Sequence, residues 1–253
     1  MTFEPWQWAL AVIAALLVGV SKTGISGLGM LFVVIFAQIM PARQATGIVL
    51  PLLCFGDLVA VASYRQHTQW RFLWRLFPWT AAGVVAGYYA LGRIDDQQAR
   101  TLIGVTVILL VSLHVGRRWW VGRKATDGGQ QSGESAHGWW FPPLIGVLAG
   151  FTTLVANAAG PLMVVYLLAM GLPKMEFVGT GAVFFMLLNL FKVPFMVNLG
   201  LINAHSFTLN LILAPAVLAG ALVGRVILRR INQKVFENVA LALSVAAGLK
   251  LLF

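Results

Sequence analysis

One short stretch limits what this chain can fold into: Gly19-Val20-Ser21-Lys22-Thr23-Gly24-Ile25-Ser26-Gly27-Leu28-Gly29. Apolar residues flank it, from Trp6 to Val18 and from Met30 to Met40, so glycines, hydroxyls and a lysine interrupt one long apolar run. The pattern returns in the second half as Gly150-Phe151-Thr152-Thr153-Leu154-Val155-Ala156-Asn157-Ala158-Ala159-Gly160-Pro161, again between apolar runs. Polar, Gly/Pro-interrupted segments at matching places in two halves of a membrane chain point to a transporter binding site.

Composition places the chain in the membrane class. Of 253 residues, 59% are hydrophobic and 10% charged, where a soluble domain carries about a quarter charged. Mean hydropathy is +0.85, and apolar runs of about 18 residues or more recur. A net charge of +10 on a soluble protein would suggest nucleic acid. Here it reads as lysines and arginines in cytoplasmic loops, and no nucleic-acid partner is expected. Cys54, the one cysteine, lies in an apolar run and has no intrachain disulfide partner. Met1-Thr2-Phe3-Glu4-Pro5 lacks the positive n-region of a secretory signal, so the first apolar run is expected to be retained.

After the interrupted segment at 6–40 come apolar runs at 45–63, 72–91 and 99–116. They are too long for strands, and lipid demands that each segment satisfy its own backbone, so they read as helices. Residues 117–138 look soluble, and Lys124-Ala125-Thr126-Asp127-Gly128-Gly129-Gln130-Gln131-Ser132-Gly133-Glu134 reads as a flexible linker. The second half repeats the order: an interrupted segment at 140–170, then runs at 177–197, 207–224 and 235–253. Single positions line up between the halves. Gly19 matches Gly150, Gly29 matches Gly160, Pro41 falls near Pro173, and Asp57 matches Asn189. Pro78, Gly83 and Gly87 match Pro215, Gly220 and Gly224, and Arg93-Ile94-Asp95 matches Arg230-Ile231-Asn232. Shared order across both halves argues for duplication.

Charge arithmetic sets the topology. Of the 18 Lys and Arg, Lys22 and Lys192 fall in membrane segments. If each interrupted segment crosses once, the other 16 split evenly, 8 to a side. If each folds back to its starting side, one side keeps Arg43, Arg93, Arg100 and Lys250 and the other collects 12. The positive-inside rule selects the second arrangement. Length agrees: the 34 residues from Gln7 to Met40 would make about 51 Å of helix, against roughly 30 Å of hydrocarbon. The expected fold is an all-α polytopic membrane protein of two inverted repeats, each an interrupted helical hairpin followed by three transmembrane helices. Residues 1–116 form the first repeat, 117–139 a cytoplasmic linker and 140–253 the second repeat, with both termini periplasmic. Whether each hairpin is re-entrant or a pair of short spans stays open.

The broken stretches expose backbone amides. A half-helix starting near Leu28-Gly29 or Ala159-Gly160-Pro161 points its N-terminus into the membrane, an anion site by its unpaired N–H groups and dipole. Pro161 suits a first turn, where its missing N–H costs nothing. The candidate substrate-binding residues are Ser21, Lys22, Thr23, Gly24, Ser26, Gly27, Thr152, Thr153, Asn157, Gly160, Pro161 and Lys192. The two stretches approach from opposite faces, so their tips are expected to meet near the midplane, Lys22 facing Thr152, Thr153 and Asn157. Against this stands a packing reading: the glycines let helices approach, the hydroxyls bond helix carbonyls, and Lys22 snorkels. Lys192 either lines the site or reaches the outer interface. Asp57 is the only acid within a membrane run, and hydrocarbon strips a carboxylate of its hydration. It either carries a coupling proton or is held by a neighbouring helix, Lys22 or Lys192. The chain has no HExxH, G-x-S-x-G or Walker A motif, and its carboxylates are too sparse for a metal site. Neither an enzyme nor a cofactor is expected.

Taken together these residues resemble the sulfite exporter TauE/SafE family of membrane permeases over nearly the whole chain. The likeness rests on the Gly-rich opening from Gly19 to Gly29, Pro41, Ala45-Thr46-Gly47, Tyr64-Arg65 and Trp70-Arg71. In the second half it rests on Asn189-Leu190-Phe191-Lys192-Val193-Pro194, Leu199-Gly200-Leu201-Ile202, Gly220 through Gly224-Arg225 to Arg230-Ile231, and Phe236. Ser21-Lys22-Thr23, Ile25-Ser26 and the stretch from Thr152 to Asn157 depart from it. The resemblance implies a multi-pass bacterial inner-membrane exporter of small inorganic or organosulfur anions such as sulfite. The partners expected are that anion and the lipid bilayer, with a homodimer left open. A passive anion channel and a non-transporting membrane scaffold are the rival readings.

Overall fold

The structure, a computed structural model, describes residues 4–23, 42–90 and 138–232 continuously, with scattered positions in 32–40, at 112 and beyond 232. These described residues form seven α-helices and no strand. They are α1 (Pro5–Thr23), α2 (Ala42–Tyr64), α3 (Trp70–Ala90), α4 (Phe141–Ala156), α5 (Gly160–Ala169), α6 (Lys174–Asn198) and α7 (Ala204–Arg230). A 3-10 turn, Arg65–His67, joins α2 to α3. By length and composition α1, α2, α6 and α7 can each cross a membrane. The helices sit within a few residues of the expected runs, except that α7 continues through Arg225, Arg229 and Arg230. Its start is fixed by a reciprocal cap: Ser206 N donates to Asn203 Oδ1 at 2.9 Å, and Asn203 N to Ser206 Oγ at 3.0 Å. At its far end Lys174 Nζ donates to Leu228 O at 3.0 Å and to Ile231 O, a cation on free helix carbonyls. The expected helix at 99–116, nearly all of the linker and most of 235–253 lie outside the described residues.

α1 lies along α7, α4 lies along α3, and α2 and α6 pack against each other. Glycines set both long crossings. A side chain on Gly19 would run into the backbone of Val217 and Ala221, and one on Gly220 into Leu16 O. At the other crossing Gly83 sits on Val147 O, and Gly150 on Thr80 O and Val84 N. Such close backbones are how helices associate where lipid removes the hydrophobic drive. The same contacts give direction. Leu16 and Val20 meet Gly220 and Gly224, and Val147 and Leu154 meet Gly83 and Gly87, so both pairs run parallel. Gly179 of α6 touches the end of α2 at Tyr64, while Gly47 at the start of α2 touches Leu201, so α2 and α6 run antiparallel.

The second interrupted segment folds back on itself. The Phe141 ring stacks on Tyr166 with centroids 6.1 Å apart, and Tyr166 OH donates to Phe72 O at 3.1 Å. The start of α4, the last turns of α5 and the start of α3 therefore share one end of the molecule. In the first segment, Phe32, Phe36, Ile39 and Met40 are buried in one cluster with Ala11, Ala14, Ala15 and Val18 of α1. Arg65, Arg71, Arg75, Lys174, Arg229 and Arg230 all belong to the end where α3 begins, which we term the basic end. The exposed Trp6, Trp70, Trp74, Trp139 and Trp140 sit near helix ends, as an interfacial belt would.

Gly19→Val and Gly83→Val are expected to cost about 1–3 kcal/mol or more, because the obstructing atoms are backbone. Gly160→Ala meets open space and is expected to leave thermal unfolding in detergent near the parent's. Equal midpoints for all three would show that the crossings are not as close as described.

Candidate functional site

The last turn of α1 carries Ser21 and Lys22, a cation at the carbonyl end of its helix. Lys22 Nζ lies 2.7 Å from Asp57 Oδ1 of α2 and 4.6 Å from the centre of the Phe185 ring of α6. Asp57 is fully buried, and its Oδ2 accepts from Asn189 Nδ2 at 2.7 Å. A carboxylate in hydrocarbon is tolerated only when paired and hydrogen-bonded, and this one has both. The ring face adds cation–π attraction for the ammonium.

The second break is built differently. α4 ends at Asn157, which takes the left-handed conformation at φ 52, ψ 32, a turn asparagine accepts better than most side chains. Asn157 N donates to Thr153 O at 3.0 Å and Ala158 N to Thr152 O at 3.3 Å, closing the carbonyl end of α4. α5 starts at Gly160 with Pro161 in its first turn and no side-chain cap, so its leading N–H groups have no partner within the helix. Lys192, fully buried on α6, donates to Thr153 Oγ1 at 3.0 Å and to Asn157 Oδ1. Asn157 Nδ2 donates onward to Thr46 O of α2 at 3.3 Å.

Between the end of α1 and the α4–α5 break lies a cavity of about 70 Å³, room for a few waters or one small anion. Ser21, Lys22, Asp57, Thr153, Asn157 and Asn189 supply its polar side. Phe32, Phe177, Phe185 and Met163 supply much of the apolar side, and Gly160 and Pro161 bring the start of α5 to the wall.

Of the residues expected from sequence, Ser21, Lys22, Asp57, Thr153, Asn157, Gly160 and Pro161 come together on this wall. Thr23 and Thr152 do not. Thr23 Oγ1 donates to Gly19 O at 3.2 Å and to Ala221 O, and Thr152 Oγ1 to Ala149 O at 3.2 Å, so both hydroxyls serve helix carbonyls. Lys192 stands behind the wall, bonded to two residues that form it. Gly24, Ser26 and Gly27 lie outside the described residues. The expected meeting of the two tips falls on these residues and lies outside the described ones as well. The ends of α1 and α4 reach different ends of α2: Thr23 O accepts from Tyr64 OH at 3.0 Å, at the end of α2, whereas Asn157 meets Thr46 in the first turns of α2. Those contacts are 18 residues apart on α2, about 27 Å at 1.5 Å per residue. Sequence reasoning passed over Phe185, the Tyr64 hydroxyl and the Thr46 carbonyl, because a ring, a hydroxyl and a backbone oxygen follow no spacing rule. Asn189 was visible as the counterpart of Asp57 and within the Asn189 to Pro194 stretch, but not as a site residue.

The model of the family described as Sulfite exporter TauE/SafE matches residues 11–251, from within α1 to past the end of α7. The chain is 26% identical over 191 residues to the probable inner membrane transporter protein TsaS of Comamonas testosteroni, covering 75% of this chain and 74% of that one. No solved structure matches. Every residue on the cavity wall lies inside the family match, and this chain belongs to the sulfite exporter TauE/SafE family of membrane transporters.

Proposed function

We propose that the chain is a secondary transporter of small monovalent anions in the bacterial inner membrane, with bisulfite or organosulfonates as substrates, coupled to protons through Asp57. The Lys22–Asp57 pair on the wall of a cavity between broken helices carries this reading. Empty, the pair is neutral. An anion entering the cavity competes with Asp57 for the Lys22 ammonium. Were Asp57 to stay ionised, two negative charges would share one cation in low dielectric, a costly arrangement. A proton on Asp57 removes that conflict, and one proton with one monovalent anion leaves the net charge of the pair unchanged. Asn189, Thr153, Asn157 and the first turn of α5 supply hydrogen-bond donors around the same space.

The inverted repeat, with repeats at 1–116 and 140–253 joined by a linker at 117–139, is part of this reading. It is supported by the exchange of partners: α1, which opens the first half, lies on α7 of the second, and α4, which opens the second half, lies on α3 of the first. The matched glycines fall at equivalent crossings, Gly19 on Gly220 and Gly150 on Gly83. The matched Asp57 and Asn189 bond to each other where α2 and α6 meet. With the basic end cytoplasmic, alternating access consists of exposing the cavity to each side in turn. A reporter fused after Phe253 is expected in the periplasm and one inserted at residues 128–131 in the cytoplasm. Finding both on one side would sink the inverted repeat.

Lys22→Gln is expected to weaken bisulfite or small-sulfonate transport in proteoliposomes by roughly 10- to 150-fold, the worth of one charge-assisted contact. It also strands Asp57 in the membrane, at about 3–5 kcal/mol of stability. Lys22→Gln with Asp57→Asn restores a neutral pair, so stability should return while transport does not. Transport near the parent's in the double variant would remove Lys22 from the site.

Asp57→Asn alone leaves Lys22 free for the anion. It is expected to keep anion exchange and to lose accumulation driven by a proton gradient. If gradient-driven accumulation persists, Asp57 does not carry the proton.

A further inference from the structure

Lys192 is a buried lysine that stands off the cavity wall. Both of its described hydrogen bonds go to the tip of the α4–α5 hairpin, at Thr153 Oγ1 and Asn157 Oδ1. Asn157 spends the other half of its amide on Thr46 O, so one side chain ties the tip to α2 and α6 at once. The tie lies at one end of the cavity. Thr46 is in the first turns of α2, and Lys192 is six residues before the end of α6. The cavity runs from there toward Phe177 near the start of α6, 15 residues and about 22 Å below Lys192. At the end away from the basic residues a polar link through the left-handed Asn157 therefore joins the cavity wall to α2 and α6.

We propose that Lys192, Asn157 and Thr46 form a gate at this end of the cavity, with Lys192 positioning the hairpin tip and making no contact with the transported anion. The gate rests on the transport reading for its purpose, but it is defined by the geometry of the tip. Releasing the three hydrogen bonds frees Asn157 from both neighbouring helices and lets the tip turn at its own backbone hinge. The matching end of α1 is held by other means, Tyr64 OH on Thr23 O and Thr23 Oγ1 on Ala221 O, so opening one end does not require opening the other.

The test uses Cys54→Ser with Ala182→Cys, a thiol placed on the cavity wall, in the full chain in sealed vesicles of either orientation. A membrane-impermeant thiol reagent is applied to one face at a time. With the tie intact, labelling from the Thr46 face should be slow. Lys192→Met and Asn157→Gly each remove two of the three hydrogen bonds and should speed labelling from that face by about tenfold or more, leaving the other face unchanged. Glycine keeps the left-handed turn available, so Asn157→Gly removes the tie without removing the hinge. Lys192→Arg, which keeps the donors, should label within about twofold of the parent. Unchanged labelling in both tie-breaking variants, or an equal rise from both faces, overturns the gate. So does a bisulfite KM raised more than about tenfold in Lys192→Met with labelling unchanged, which would make Lys192 a ligand. Labelling needs no transport: a parent protein that moves no anion defeats the transport reading, and the gate is still judged on the labelling.

Discussion

The site depends on one buried ion pair. Lys22 and Asp57 each lie where lipid makes an isolated charge costly, and each offsets that cost for the other. The surrounding residues read as provisions for that pair. Asn189 takes the second carboxylate oxygen, and Phe185 offers its ring face to the ammonium. Gly56, the neighbour of Asp57, leaves room for the stem of Lys22, since a side chain there would press on its Cβ and Cγ. The pair fixes the height of α1 on α2 and places both charges on the cavity wall.

Holding a charge pair at hydrogen-bond distance requires that α1 cannot slide, and that is the work of the crossings. Gly19 against Val217 and Gly220 against Leu16 lock α1 to α7 through backbone contact, which is less compliant than a contact between flexible side chains. Thr23 adds a hydrogen bond to Ala221 O at the same seam. On the other side, Gly83 and Gly150 lock α4 to α3, so the second hairpin is anchored along its first helix while its tip is tied by side-chain hydrogen bonds where Thr153 and Asn157 reach α6 and α2.

Much of this was legible in the sequence, for identifiable reasons. Long apolar runs in a chain with 10% charged residues leave helix as the structure that satisfies its own backbone in lipid, so α2, α3 and α6 appear near their expected limits, and α7 runs past its own. The break at Asn157-Ala158-Ala159-Gly160-Pro161 was legible because proline and glycine state their backbone needs locally. Lys22 and Asp57 stood out because charge is rare in membrane runs. The roles of single hydroxyls were not legible. Thr152 and Thr153 are adjacent and chemically equal, yet one bonds its own helix and the other faces the cavity, a difference set by helix rotation. How far each first helix runs was not legible either: inverted symmetry sets opposite directions and no depth, and α1 is long enough to cross.

A paired lysine also answers a difficulty inherent in moving anions through lipid. A bare ammonium in a cavity of about 70 Å³ would hold an anion more firmly and release it more slowly. Asp57 lies 2.7 Å from that ammonium. On the proposed transport reading it competes for the same cation: an anion that binds displaces it, and an anion that leaves finds the carboxylate ready to take its place. Affinity would thereby be lowered without removing the charge. The empty cavity, which has to persist for the return half of a transport cycle, is left with its charges satisfied instead of an orphaned ion in hydrocarbon. That requirement applies to any secondary carrier of anions, and it gives a physical reason for a lone acid to sit beside the one lysine on the cavity wall.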